Sequence, residues 1–184
     1  MPFELAVKGY SSQGNEFSYF MLIASHFILN MTTKKEEFTV YPFIHNLSNN
    51  FTEAQLFREV KFPDVLPVEY LNEDSDFSMT AGEFVEIYLK QPSNTLIYYI
   101  DTWDCVITCF FIDTANNILQ YIDVISRTLK EGGVWINFGI NDFNSIGPLL
   151  YHYTELHSEC SIELSWEELK QIIPKFGFDI KVSL

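Results

Sequence analysis

The chain has 184 residues, 47% of them hydrophobic, enough for one globular domain with a real core and too few for two comfortable ones. Its formal charge of −14 makes nucleic acid and anionic membranes poor partners, because the one adjacent cation pair, Lys34-Lys35, is followed at once by Glu36-Glu37. No apolar run approaches the ~18 to 20 residues of a bilayer span, and Glu4 with a lone Lys8 does not make a signal peptide.

Residues 3–10 fit the tail of a helix stopped by Gly9, followed by a short strand over 10–13. Phe17, Phe20, Met21, Ala24, Phe27 and Ile28 recur at helical spacing and predict a helix over 17–29. Glu16 then falls at a strand-to-helix junction. A carboxylate there suits the two hydroxyls of a nucleotide-type ribose, since both of its oxygens accept. The plainer alternative is an acid favoured by the helix dipole. In a doubly wound α/β domain a glycine-rich turn precedes such an acid by roughly 20 residues. Counting back from Glu16 runs off the first residue.

Over 31–76 the periodicity dissolves among turn signals such as Tyr41-Pro42 and Leu66-Pro67, which predicts a loop-rich elaboration of the single domain. A short strand over 77–81 and a short helix over 83–90 follow, with Gly82 between them. Glu83 carries the same two readings as Glu16, and Phe84 either covers an aromatic ring face or packs beneath it.

The near-continuous apolar run 103–112 predicts a central parallel strand buried on both faces. Asp113 directly after it lands at the mouth of a cleft, or else caps the next helix. That helix, 117–129, is marked by Ile118, Tyr121, Ile122, Ile125 and Leu129; Lys130-Glu131-Gly132-Gly133 stops it, and 134–138 reads as another buried strand. His152 follows a segment leaving the strand rim, although a lone histidine is more often a surface or core residue than a catalyst. Ser165 and Glu168 form a capping box for a last helix, which Gly177 ends before a final strand over 178–182. The pairs Phe17 and Phe20, Phe110 and Phe111, and Tyr98 and Tyr99 sit inside apolar runs and are read as core.

Strand alternating with helix predicts a right-handed doubly wound parallel sheet, with Glu16, Glu83, Phe84, Asp113 and the segment after Phe138 along one carboxyl rim. Cys105 and Cys109 share a strand face roughly 13 Å apart at ~3.3 Å per residue, beyond disulfide reach. Cys160 is remote, so unpaired thiols favour a reducing compartment, the cytosol or also the nucleus. His26 and His45 have no metal-ligand spacing, and no metal is implied.

Ordered strings along nearly the whole chain then carry a resemblance. They are Gly14-Asn15-Glu16-Phe17-Ser18-Tyr19-Phe20-Met21-Leu22, Tyr41-Pro42-Phe43-Ile44-His45-Asn46, Phe77-Ser78-Met79-Thr80-Ala81-Gly82-Glu83-Phe84 and Thr108-Cys109-Phe110-Phe111-Ile112-Asp113-Thr114-Ala115. Downstream come Gly132-Gly133-Val134-Trp135-Ile136-Asn137, Gly147-Pro148-Leu149-Leu150-Tyr151-His152 and Ser161-Ile162-Glu163-Leu164-Ser165. Through them the chain resembles the carnosine N-methyltransferases, S-adenosylmethionine-dependent enzymes with a Rossmann-like class I methyltransferase sheet. The resemblance implies that Glu16 holds the ribose of S-adenosylmethionine, that Glu83 and Phe84 flank its adenine, and that Asp113 and His152 face the substrate imidazole. It implies methylation of a ring nitrogen of the histidine moiety in carnosine and related small peptides, giving anserine from carnosine.

Measured against that family, three departures stand out. The glycine-rich turn and the first strand would lie upstream of Phe3, residues 140–146 look inserted, and the closing strands with their substrate-facing tyrosines would lie beyond Leu184. Asn116 also stands where the family has a histidine. A truncated or mis-spliced gene product accounts for all three, and such a chain is expected to bind S-adenosylmethionine poorly or not at all. The competing reading is a non-catalytic remnant serving as a binding or regulatory module. A nicotinamide oxidoreductase shares the ribose acid but not the downstream strings, and homo-oligomerisation is left open.

Overall fold

Pro2 at the first turn opens helix α1 (Pro2–Val7), where its missing N–H costs nothing, and Gly9 at φ 87° turns the chain out of it. The computed structural model describes residues 1–45, 50–89, 99–139, 162 and 164–181. They form a mixed α/β structure with two compact units, Met1–Glu83 and Phe84–Leu184.

In the first unit, β1 (Ser12–Glu16) leads into α2 (Tyr19–Asn30). The strand is shifted two to three residues beyond the expected 10–13, so Glu16 is its last residue. Next come β2 (Phe38–Val40), α3 (Glu53–Leu56), β3 (Val60–Phe62), α4 (Pro67–Tyr70) and β4 (Phe77–Ala81). β1 and β4 pair in parallel, from Ser12 opposite Phe77 to Glu16 opposite Ala81. Within 31–76, β2 and β3 form an antiparallel pair, with Phe38 stacked on Phe62 at 5.5 Å between ring centroids. The elaboration is therefore more structured than its turn signals imply, because three-residue strands are too short to show a period. Gly14 lies at a close approach: a Cβ there would push aside the flexible Met79 side chain and press on the Pro2 ring.

The helix over α2 is as expected, but none of its residues is buried, and Phe17 and Phe20 are 63% and 85% exposed. Helical spacing forms the helix without supplying a surface for its apolar side chains, so the core reading of these two aromatics is corrected.

In the second unit, α5 (Phe84–Tyr88) precedes β5 (Trp103–Cys109), a 3-10 turn (Ile112–Thr114), α6 (Ile118–Thr128), β6 (Leu129–Phe138) and α7 (Trp166–Ile172). A second 3-10 turn (Ile173–Phe176) follows α7. α6 buries Ile118, Ile122, Val124 and Ile125, and Leu129, Leu169 and Ile173 complete the core around it. Ser165 and Glu168 make the expected capping box of α7, which holds the Glu168 carboxyl below the usual glutamate range through hydrogen bonds from Ser165. Gly177 ends the second turn at φ 90°, but no strand forms over 178–181.

β5 and β6 pair in parallel, with Cys105 opposite Val134 and Cys109 opposite Phe138. Strand β6 starts at Leu129, so the Lys-Glu-Gly-Gly string belongs to an irregular strand start, not to a helix stop. Among the described residues one face of this pair is covered: Val106 and Trp135 pack on the α6 core, whereas Cys105, Cys109, Val134, Ile136 and Phe138 are exposed. The expectation of strands buried on both faces is thereby corrected for the described residues. An unbroken apolar run shows that both faces are apolar, not that both are covered. Phe110, read as core, is exposed as well.

Candidate functional site

Glu16 closes β1 at its carboxyl end, and the sequence after it determines what its side chain does. The turn into α2 leaves the Ser18 N–H without an intrahelical acceptor, and the Glu16 Oε1 accepts it at 2.7 Å. The acid serves the helix start as the plainer reading held, and its rotamer is fixed by doing so. Its second oxygen keeps the acceptor capacity that a ribose hydroxyl needs.

Beside Glu16, the chain leaves β4 through Gly82, whose φ of 150° favours glycine. The Gly82 N–H donates to the Glu16 carbonyl at 3.1 Å, and the Asn15 Nδ2 donates to the Gly82 carbonyl at 3.2 Å and to that of Thr80 at 3.4 Å. Two parallel strand ends are thus sewn together one residue before Glu83. Glu16 and Glu83 emerge from the carboxyl ends of two paired strands in the first unit. Asn15 was missed, although an amide in place of a β-branched residue at a strand end is a readable signal.

In the second unit, Phe84 opens α5, and its ring meets those of Tyr88 at 5.1 Å, Phe111 at 5.3 Å and Tyr121 at 5.3 Å. Both readings of Phe84 thus stay close together: it is half-buried in an aromatic cluster whose Phe111 sits just beyond the carboxyl end of β5. Tyr88 beneath it is buried, which together with the neighbouring Tyr99 pushes its hydroxyl up to about 12. Phe110 takes a left-handed φ of 47° and donates its N–H to the Phe138 carbonyl at 2.7 Å, turning the chain at the rim.

Asp113 lies in the 3-10 turn that follows, half-buried. The cap of α6 is Asn117, whose side chain accepts from Leu119 N at 3.1 Å and Gln120 N at 3.4 Å. Asp113 is therefore not the helix cap, and among the described residues its carboxylate has no hydrogen-bond partner. His152 lies outside the described residues. Among those described, no group of three metal-ligating side chains gathers, and no helix is long and apolar enough to cross a membrane.

A family model described as carnosine N-methyltransferase matches residues 1–183. The chain belongs to the carnosine N-methyltransferase family. It is 47% identical over 182 residues to the carnosine N-methyltransferase of Rattus norvegicus, covering 99% of this chain and 41% of that protein. With the carnosine N-methyltransferase of Schizosaccharomyces pombe it shares 40% identity over 189 residues, 98% of this chain and 47% of the relative. The protein of that name from Dictyostelium discoideum is 44% identical over 181 residues, 97% of this chain and 35% of its own length. The chain thus spans less than half the length of these relatives.

Proposed function

We propose that the chain is an S-adenosylmethionine-dependent N-methyltransferase acting on the imidazole of carnosine and related histidine-containing peptides. The observation that supports this most is the oriented Glu16 carboxylate, fixed by Ser18 beside the sewn ends of β1 and β4. Each of the two parallel pairs has the strand pairing that a doubly wound class I sheet uses.

S-adenosylmethionine, when bound, supplies an activated sulfonium methyl, so the protein's task is mainly to hold and orient the imidazole. Glu16 would accept from the ribose hydroxyls, with Glu83 and Phe84 on the adenine side. Asp113, released from capping by Asn117, would accept one imidazole N–H, fix the tautomer and stabilise the positive charge that develops on the ring. His152 would face the same ring. An imidazole with an ordinary pKa of ~6.5 is mostly neutral at physiological pH, so its free nitrogen is nucleophilic without a strong base. Unpaired thiols fit a reducing compartment such as the cytosol.

No Gly-x-Gly turn occurs in the 184 residues, so the assay calls for millimolar methyl donor. Purified chain incubated with methyl-labelled S-adenosylmethionine and carnosine is expected to form labelled anserine above the blank, with Glu16→Gln abolishing it. No anserine above the blank, with or without donor binding, would overturn the methyltransferase reading and favour the non-catalytic remnant.

A further inference from the structure

Three side chains on the covered face of the β5–β6 pair form a directed relay. The Trp135 Nε1 donates to the Thr108 Oγ1 at 2.9 Å, and the Thr108 hydroxyl donates to the Asn137 Oδ1 at 2.8 Å. Indole N–H has no acceptor capacity, so the direction of the first bond is fixed, and the single hydroxyl proton of Thr108 is left for Asn137. Thr108 is buried at 4% exposure, so the water that could otherwise reverse this order is largely excluded. The amide of Asn137 is thereby held with its oxygen inward and its NH2 outward. Asn137 is exposed, stands one residue before the end of β6, and among the described residues its Nδ2 has no partner.

That end is also the rim from which β5 leads into the turn bearing Asp113, since the two strands are parallel. Neither 109–117 nor 134–139 contains a lysine or arginine. Lys130, bound to Asp104 at 2.8 Å, belongs to the opposite end of the pair. Within these two segments a substrate anion has a neutral amide to meet and no lysine or arginine.

We infer that Asn137 is a specificity-determining residue whose outward NH2 donates to the carboxylate of the histidine moiety in the peptide substrate. The inference rests on the function proposed above. It divides the ligand between two groups of one rim: Asp113 for the basic imidazole, Asn137 for the anionic end.

The experiment compares carnosine with β-alanylhistamine, which has the same imidazole and amide but no carboxylate, by calorimetric binding and by KM on the full chain. The wild type is expected to favour carnosine by about tenfold, the worth of one good hydrogen bond to a charged acceptor. Asn137→Leu should erase that preference by weakening carnosine alone. Asn137→Asp keeps an oxygen toward Thr108 but presents a carboxylate outward, and should reverse the preference. In 15N spectra the Asn137 side-chain amide, identified by its loss in both variants, should shift with carnosine and not with β-alanylhistamine. Equal weakening of both ligands, or no wild-type preference, overturns the inference alone. Failure of the wild type to bind either ligand overturns the proposed function and this inference with it.

Discussion

The backbone N–H of Gly82 donates to the carbonyl of Glu16 at 3.1 Å, carrying the β1–β4 ladder one step past its last rung. Asn15 reinforces that step through the Thr80 and Gly82 carbonyls. Replacing Asn15 by Leu removes both side-chain bonds from a half-buried site. A loss of about 1 kcal/mol is expected in urea unfolding, with weaker donor binding. An unchanged unfolding midpoint would show that the amide holds nothing together.

Glu16→Gln separates the two tasks of that side chain. The amide oxygen still accepts from Ser18 N–H, so stability is expected to change by less than about 0.5 kcal/mol, whereas the loss of the anionic acceptor should weaken donor binding about tenfold or more. Glu16→Leu removes the acceptor altogether and should also cost stability. Thermal melts and calorimetry on both variants distinguish these outcomes. Equal binding by wild type and Glu16→Gln would remove the acid from the site.

Because Asn117 and not Asp113 caps α6, the two residues should respond oppositely to substitution. Asn117→Ala is expected to cost about 1 kcal/mol of stability. Asp113→Asn should leave stability nearly intact while lowering methyl transfer by about a hundredfold or more. A large stability loss in Asp113→Asn, with methylation unchanged, would reverse the two assignments.

Tyr88 gives a pH signature. Its hydroxyl is pushed up to about 12 by burial and by Tyr99, above the ordinary tyrosine value of about 10 in the unfolded chain. A group whose folded pKa is raised gives a stability contribution that is whole below the unfolded value and is lost as pH rises through the folded one. The difference in stability between wild type and Tyr88→Phe should therefore change between about pH 10 and 12 and stay flat below. Ultraviolet titration at alkaline pH should show one tyrosinate fewer in the variant, missing from the late step. If it is missing from the early step, Tyr88 is not buried as described.

Much of this was legible from residues. The α6 spacing, the Ser165–Glu168 box and the strand at Phe77–Ala81 are local signals, and each appears where its chemistry puts it. Glu16 and Glu83 could be placed on one rim because a strand followed directly by a helix start leaves an acid nowhere else to go. What failed was coverage. Apolar side chains on α2 and on the outer face of β5–β6 advertise burial, but burial depends on a partner surface that no local pattern encodes. The two readings of Asp113 stayed open because Asp and Asn are both good caps; with the helix start placed at 117 by its spacing, the 3-10 turn at Ile112–Thr114 separates Asp113 from it and leaves the cap to Asn117. Asn15 and the Trp135–Thr108–Asn137 relay act across strands, so their partners lie 65 and 67 residues away in the first case and 27 and 29 in the second, and leave no short-range trace.

The most direct test of the cofactor rim is an amide 1H–15N titration of the 184-residue chain with S-adenosylhomocysteine at millimolar concentration, which reads weak binding residue by residue. The largest shifts are expected at Ser18, Gly82 and Glu83, with those of Ser18 suppressed in Glu16→Gln. Shifts absent from these amides at saturation, or centred instead on the shallow hollow lined by Phe51, Thr52 and Leu56, would contradict the assignment.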